Sequence, residues 1–152
     1  MSAPLGVRVA AGMTRFAVRA PLADAVELCL FEGDAERRLP MRRAGENWLA
    51  EVPGDLAGTR YGYRAHGAHD PAQGLWFDPA KLLVDPHAIE LDRRFVQVPQ
   101  LARFGVETAP FVPRAIVPAP LPEVARQPPR FRRGGLIYEL NVRGFTLLHP
   151  DV

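Results

Sequence analysis

Proline constrains this chain more than any other residue type. Each of its 16 prolines lacks a backbone donor and fixes φ, so a mainly helical fold is excluded. Short strands, turns and extended connections are favoured instead. Their distribution also divides the chain. Only Pro4, Pro21, Pro40 and Pro53 precede Asp70, whereas the stretch from Pro99 to Pro129 is crowded with them.

Between those early prolines, short apolar segments alternate with turn residues. Phe16 and Val18 share one face of Thr14–Arg19; Val26, Leu28 and Leu30 repeat at period two. After Gly33-Asp34 a short strand resumes over Arg37–Met41. Ala44–Asn47 turns into a stretch where Trp48, Ala50 and Val52 share a face, and Tyr61-Gly62-Tyr63 follows further turn residues. Strands spaced in this way, with Gly/Pro turns between them, predict a β-sandwich or barrel. The expected core is Phe16, Val18, Val26, Leu28, Leu30, Trp48, Leu49, Val52, Tyr61 and Tyr63. Cys29, within the run Val26–Phe31, is expected to be a buried small hydrophobe.

From His66 to Pro86 three Asp-Pro pairs occur, Asp70-Pro71, Asp78-Pro79 and Asp85-Pro86. Asp accepts from nearby backbone amides and Pro presets φ, so each is expected to start a turn. Residues from about Phe95 to Arg133 are proline-rich without periodicity and predict an extended surface connection. Gly134-Gly135 then opens Leu136–Val142, which is apolar enough to be a buried strand. A buried strand so close to the end of the chain is expected to have lost its partners. It would then be disordered, dock on the sandwich edge, or pair with another copy.

No catalytic constellation emerges. Glycoside cleavage needs two carboxyls flanking the scissile bond, and nothing in the spacing of Asp70, Asp78, Asp85 and Glu139 brings a pair together. Ser2 is the only serine. The pair His66 and His69 is expected to be solvated, with no metal and no cofactor implied. A net charge of +2 gives no case for nucleic acid, and the short Arg130–Arg133 cluster is expected to be a solvated linker. No apolar run reaches membrane-spanning length and no signal peptide is visible, so a soluble cytoplasmic protein is expected. Sugars are held largely by aromatic rings, and Trp76, Trp48 and Tyr63 are the carbohydrate-binding candidates. Trp48, on an alternating strand, suits the core. Trp76, in a loop, suits either a sugar platform or an anchor against a neighbouring domain.

The run Gly58–Gly67, followed by Asp70–Gly74 and by Asp78–Pro86, resembles bacterial glycogen debranching enzymes and isoamylases, where a similar sequence closes the N-terminal family 48 carbohydrate-binding module. Thr14–Val18 and Ala25–Phe31 resemble that module's first strands. Leu136–Thr146, with His149-Pro150, is similar to the first barrel strand of the α-amylase family, the family 13 glycoside hydrolases. The resemblance implies an immunoglobulin-like β-sandwich over residues 1–92, a Pro-rich linker over 93–134, and from 135 to 152 the start of a (β/α)8 catalytic barrel that is cut off.

It further implies an accessory domain of an α-1,6-glucan debranching enzyme. The implied partners are an α-glucan (glycogen or maltodextrin) and the catalytic barrel; self-association through strand 136–142 is a further expectation. The family's Asp nucleophile and Glu acid lie on later strands, so no catalytic residue is assigned. Glycan-binding versions of the module carry tryptophans where this chain has Phe31–Asp34 and Gly67–His69, and Asn141 stands where many relatives have His. An independent glucan-binding module, and an interaction domain docking on a separate catalytic chain, are the alternatives.

Overall fold

Stretches with apolar residues at every second position fold as antiparallel strands, and glycines with positive φ turn the chain between them. The computed structural model describes residues 4–119, 128, 133–141, 144, 145 and 147. The chain divides into two units, Met1–Leu121 and Pro122–Val152. In the first unit the strands are β1 (Gly6–Ala10), β2 (Met13–Arg19), β3 (Ala25–Glu32), β4 (Ala35–Pro40), β5 (Arg42–Ala44), β6 (Asn47–Pro53), β7 (Arg60–His66), β8 (His69–Asp70), β9 (Leu75–Trp76) and β10 (Ala115–Ile116). One four-stranded sheet runs β1-β2-β6-β5 and the other β10-β7-β3-β4, while β8 and β9 form a separate two-residue ladder. The fold is all-β, an immunoglobulin-like sandwich.

The inner faces of the two sheets meet in one core. Phe16 from β2, Trp48 and Val52 from β6, Val26, Leu28 and Leu30 from β3, and Tyr61 and Tyr63 from β7 belong to it. Phe16 and Tyr61 join the sheets edge to face, with ring centroids 5.0 Å apart, a favoured aromatic geometry. Trp48 donates its Nε1–H to the Ala20 carbonyl at 3.0 Å, so its one polar atom is satisfied in the core. Leu49 departs from expectation. It alternates with Trp48 and Ala50, so the pleat turns it to the other face, where it is only half-buried.

Several short strands were not apparent from apolar alternation, β1 and β10 among them. β1 pairs with β2 through a turn at Ala11 and Gly12, both with positive φ (50° and 72°), as a tight type I′ hairpin requires. β10 lies inside the proline-rich stretch and pairs with β7, Ala115 opposite Tyr61. Ala115 and Val117 are fully enclosed. That stretch is therefore more than a surface connection: it completes a sheet.

The outer face of the second sheet is covered by the chain that follows β7. Cys29 and Phe31, which point outward from β3, form a second small core with Leu82 and Ala109. Gly62 makes the closest approach possible. A Cβ there would lie 2.9 Å from Leu82 Cδ1 and 2.9 Å from the Leu83 carbonyl oxygen. Tyr63 and Leu83 exchange both backbone hydrogen bonds at 2.9 and 2.8 Å.

In the second unit, residues 136–141 form no strand. Leu136, Ile137 and Tyr138 are exposed, because a strand needs neighbouring backbone partners and none is present among the described residues of that unit. Asn141 instead starts a helical turn: its Oδ1 accepts from Gly144 N at 2.9 Å and its carbonyl from Phe145 N at 2.8 Å. Val142, Arg143, Thr146, His149 and Pro150 lie outside the described residues, as do Arg130, Phe131 and Arg132 of the basic cluster. No helix is long and apolar enough to cross a membrane among the described residues.

Candidate functional site

The sequence between β7 and the second small core is rich in Asp, Pro and Gly, and its turns place one large ring on the surface. Asp70 Oδ1 accepts from Ala72 N at 3.2 Å and Asp70 Oδ2 from Gln73 Nε2 at 2.6 Å, capping a 3₁₀ turn over Pro71–Gln73. Gly74, with φ 77°, ends that turn and sends the chain back as β9. His69 and Trp76 are therefore direct cross-strand partners. Trp76 is 69% exposed. Its ring meets His69 edge to face at 6.1 Å, and His69 stacks in turn on Phe104 at 4.1 Å.

Beside this ring runs an apolar groove of about 300 Å³, lined by Leu22, Leu75, Trp76, Phe77, Lys81 and Leu83 among others. Phe77 seals its floor against Gly67, where an added Cβ would come within 2.6 Å of the ring. Leu22, Trp76 and Phe104 are all largely exposed. Large apolar side chains gathered at a surface mark contact sites.

The other two ring candidates are enclosed. Trp48 is 5% and Tyr63 2% exposed, so neither presents a face on which a ligand can stack. Tyr63 donates to Asp85 Oδ2 at 3.3 Å, and Tyr61 donates to the same oxygen at 2.8 Å. Burial, followed by the nearby Asp85 charge, pushes both phenols up, so they stay protonated.

All three Asp-Pro aspartates accept from the amide two residues on: Asp70 from Ala72, Asp78 from Ala80 at 3.0 Å, and Asp85 from His87 at 2.8 Å. They are turn formers, as the sequence implies. Asp78 and Lys81 also organise the following segment. Asp78 Oδ2 accepts from Gly105 N at 2.8 Å. The Lys81 ammonium donates to the carbonyls of Gln100, Arg103 and Val106.

Two carboxylates, Glu36 and Glu107, share the buried guanidinium of Arg64. Arg64 Nε and Nη2 donate to Glu36 at 2.7 and 2.8 Å, Nη2 to Glu107 at 2.8 Å, and Nη1 to the Pro79 carbonyl at 2.9 Å. The hydrogen bond from Arg64 draws the Glu36 carboxyl down to about 2, overcoming its partial burial. Burial opposes the shift at Glu107, but Arg64 and the Ala109 amide still hold it below the ordinary value. A general acid needs the reverse, a raised value. This cluster fastens segment 79–109 to the sheet.

His66 bonds Glu27 at 3.0 Å while His69 stacks on Phe104, so the two histidines do not converge on one point. Phe104 and Lys81 were not singled out from the sequence as site residues. Phe104 lies 28 positions from Trp76 with no spacing signal to link them. Lys81 did carry one faint sign, as the only lysine among 19 basic residues.

Residues 4–88 match the family model of carbohydrate-binding module 48, the isoamylase N-terminal domain. The glycogen debranching enzyme of Serratia proteamaculans is 38% identical across 100% of this chain and 24% of its own length. That of Yersinia enterocolitica is 38% identical across 98% of this chain and again 24% of its own. The chain thus spans about a quarter of the length of these curated relatives. Among solved structures, pullulanase type I from Bacillus subtilis str. 168, complexed with maltose, aligns with a TM-score of 0.55 at 21% identity, over 86% of this chain and 15% of that one. That likeness is one of fold.

Proposed function

The chain belongs to the carbohydrate-binding module 48 family, and from that premise we propose that it is a non-catalytic accessory domain of an α-1,6-glucan debranching enzyme acting in glycogen or starch breakdown. The 38% identity to glycogen debranching enzymes supports the parent activity. In this reading residues 1–92 are the module, 93–134 the connection and 135–152 the start of the catalytic barrel, with the cytoplasm as the site of action. The partners are that barrel and an α-glucan such as glycogen or maltodextrin.

One observation carries the glucan contact: a tryptophan left 69% exposed beside an apolar groove, while the sandwich buries Trp48, Tyr61 and Tyr63. Sugar rings offer C–H faces to such a surface and hydroxyls to its rim. Trp76 is the stacking residue; Trp48 and Tyr63 serve the core that holds the surface in place.

Titrating the chain with maltoheptaose tests this. Saturable binding that Trp76→Ala weakens on the order of tenfold, near the 1.4 kcal/mol of one good aromatic contact, supports it. Binding that survives the substitution unchanged contradicts it. No detectable binding would favour a structural or docking role against another chain.

A further inference from the structure

We propose that the glucan surface is a composite of three rings, Trp76, His69 and Phe104, and that Lys81 is its positioning residue. This rests on the reading of Trp76 as a sugar contact and adds two rings and a positioning residue to it. Phe104 is 59% exposed, yet its ring is held at 4.1 Å from His69, the cross-strand partner of Trp76. An exposed phenylalanine in a proline-rich segment has no packing reason to keep one orientation, so something must hold its backbone.

Lys81 supplies that hold. Its Nζ donates to the carbonyls of Arg103 and Val106, the latter at 2.9 Å, and of Gln100 at 3.3 Å. Asp78, whose carboxylate lies 3.7 Å from the same Nζ, accepts from Gly105 N at 2.8 Å. Gly105 has φ 73°, a left-handed turn directly after the ring. Phe104 is thus pinned on both sides. An ammonium carries three donors on one compact atom and can satisfy three converging carbonyls; a flat guanidinium fork cannot. That geometry accounts for a lysine in a chain whose other basic side chains are arginine.

The same contacts specify the ligand's charge. Asp78 and Lys81, the charged residues lining the groove, are occupied with one another and with backbone groups. The groove beside Trp76 therefore offers apolar faces and no unpaired charge, which suits a neutral α-1,4-linked glucan long enough to cover more than one ring.

Maltoheptaose and maltose titrations of the chain carrying Phe104→Ala, Lys81→Met, or both, test the proposal. Phe104→Ala should weaken maltoheptaose on the order of tenfold and leave maltose nearly unchanged. Lys81→Met should produce a comparable loss, speed amide exchange over residues 103–106, and add nothing in the Phe104→Ala background. Lys81→Arg should not rescue binding. Additive losses would reduce Lys81 to a general stabiliser and overturn the positioning role. Trp76→Ala sensitivity with full affinity in Phe104→Ala would overturn the composite surface while leaving the Trp76 contact intact. A wild-type chain with no affinity for maltoheptaose would refute both. Self-association abolished by Trp76→Ala would assign the surface to a second copy and overturn the proposal.

Discussion

Arg64 reaches across β3 to grip Glu36 on β4 with two hydrogen bonds of 2.7 and 2.8 Å, although its own side chain is wholly enclosed. A third bond from the same guanidinium takes Glu107, 43 positions further on, so one arginine ties three chain segments together. A buried charge is tolerable only when it is paired in this way.

Acid should expose that dependence. The Glu36 carboxyl, with a folded value of about 2 against an ordinary 4.5, binds a proton less readily in the folded state. Its stabilisation is fully present above about 4.5 and is lost as pH falls toward about 2, a contribution on the order of 3 kcal/mol. Denaturant unfolding of wild type and Glu36→Gln over that range should show a stability gap at neutral pH that closes in acid. A gap independent of pH would contradict the pairing.

Removing Asp85 should strand two phenols. Its carboxylate accepts from Tyr61 and Tyr63 in the core and from the His87 amide. Asp85→Ala leaves these buried donors unpaired at about 1–3 kcal/mol each. Thermal melting should show a larger drop for Asp85→Ala than for Asp85→Asn, which keeps an acceptor oxygen.

Gly62 is a test of the close contact between β7 and segment 82–83. A methyl there would meet a backbone oxygen that cannot rotate away. Gly62→Ala should cost about 1–3 kcal/mol by overpacking. An unaltered melting temperature would mean the segment sits further from the sheet.

The inner core should respond as a core does. Leu28 is fully enclosed between the sheets, and Leu28→Ala should lower stability by about 2–5 kcal/mol. Leu49→Ala, half-buried on the other face of β6, should cost clearly less. Urea midpoints of the two variants report the difference.

These residues also mark how far the sequence could be understood by itself. Val26, Leu28 and Leu30 announce their strand because a buried sheet face demands apolar side chains at period two. Leu49 was misplaced because it is apolar on the wrong side of that alternation. β10 has only two residues, bounded by Pro113 and Pro118, too short for any period to show. Arg64 interrupts an apolar run, and its partners lie 28 and 43 positions away, a distance over which no local pattern operates. Residues 136–141 form no strand for a related reason: local apolarity is necessary for a buried strand, but its hydrogen-bond partners must come from elsewhere. Trp76 stood out as a ring in a turn-rich loop, whereas the stacking of Phe104 beside it depends on Lys81 and Asp78 folding the intervening chain.

Isothermal titration of the chain with pullulan tests most directly whether it contacts glucan without cleaving it. The account predicts heat pulses that saturate and return to baseline after each injection. Sustained heat flow, the mark of bond hydrolysis, would contradict it, as would injections that show no saturating heat at all.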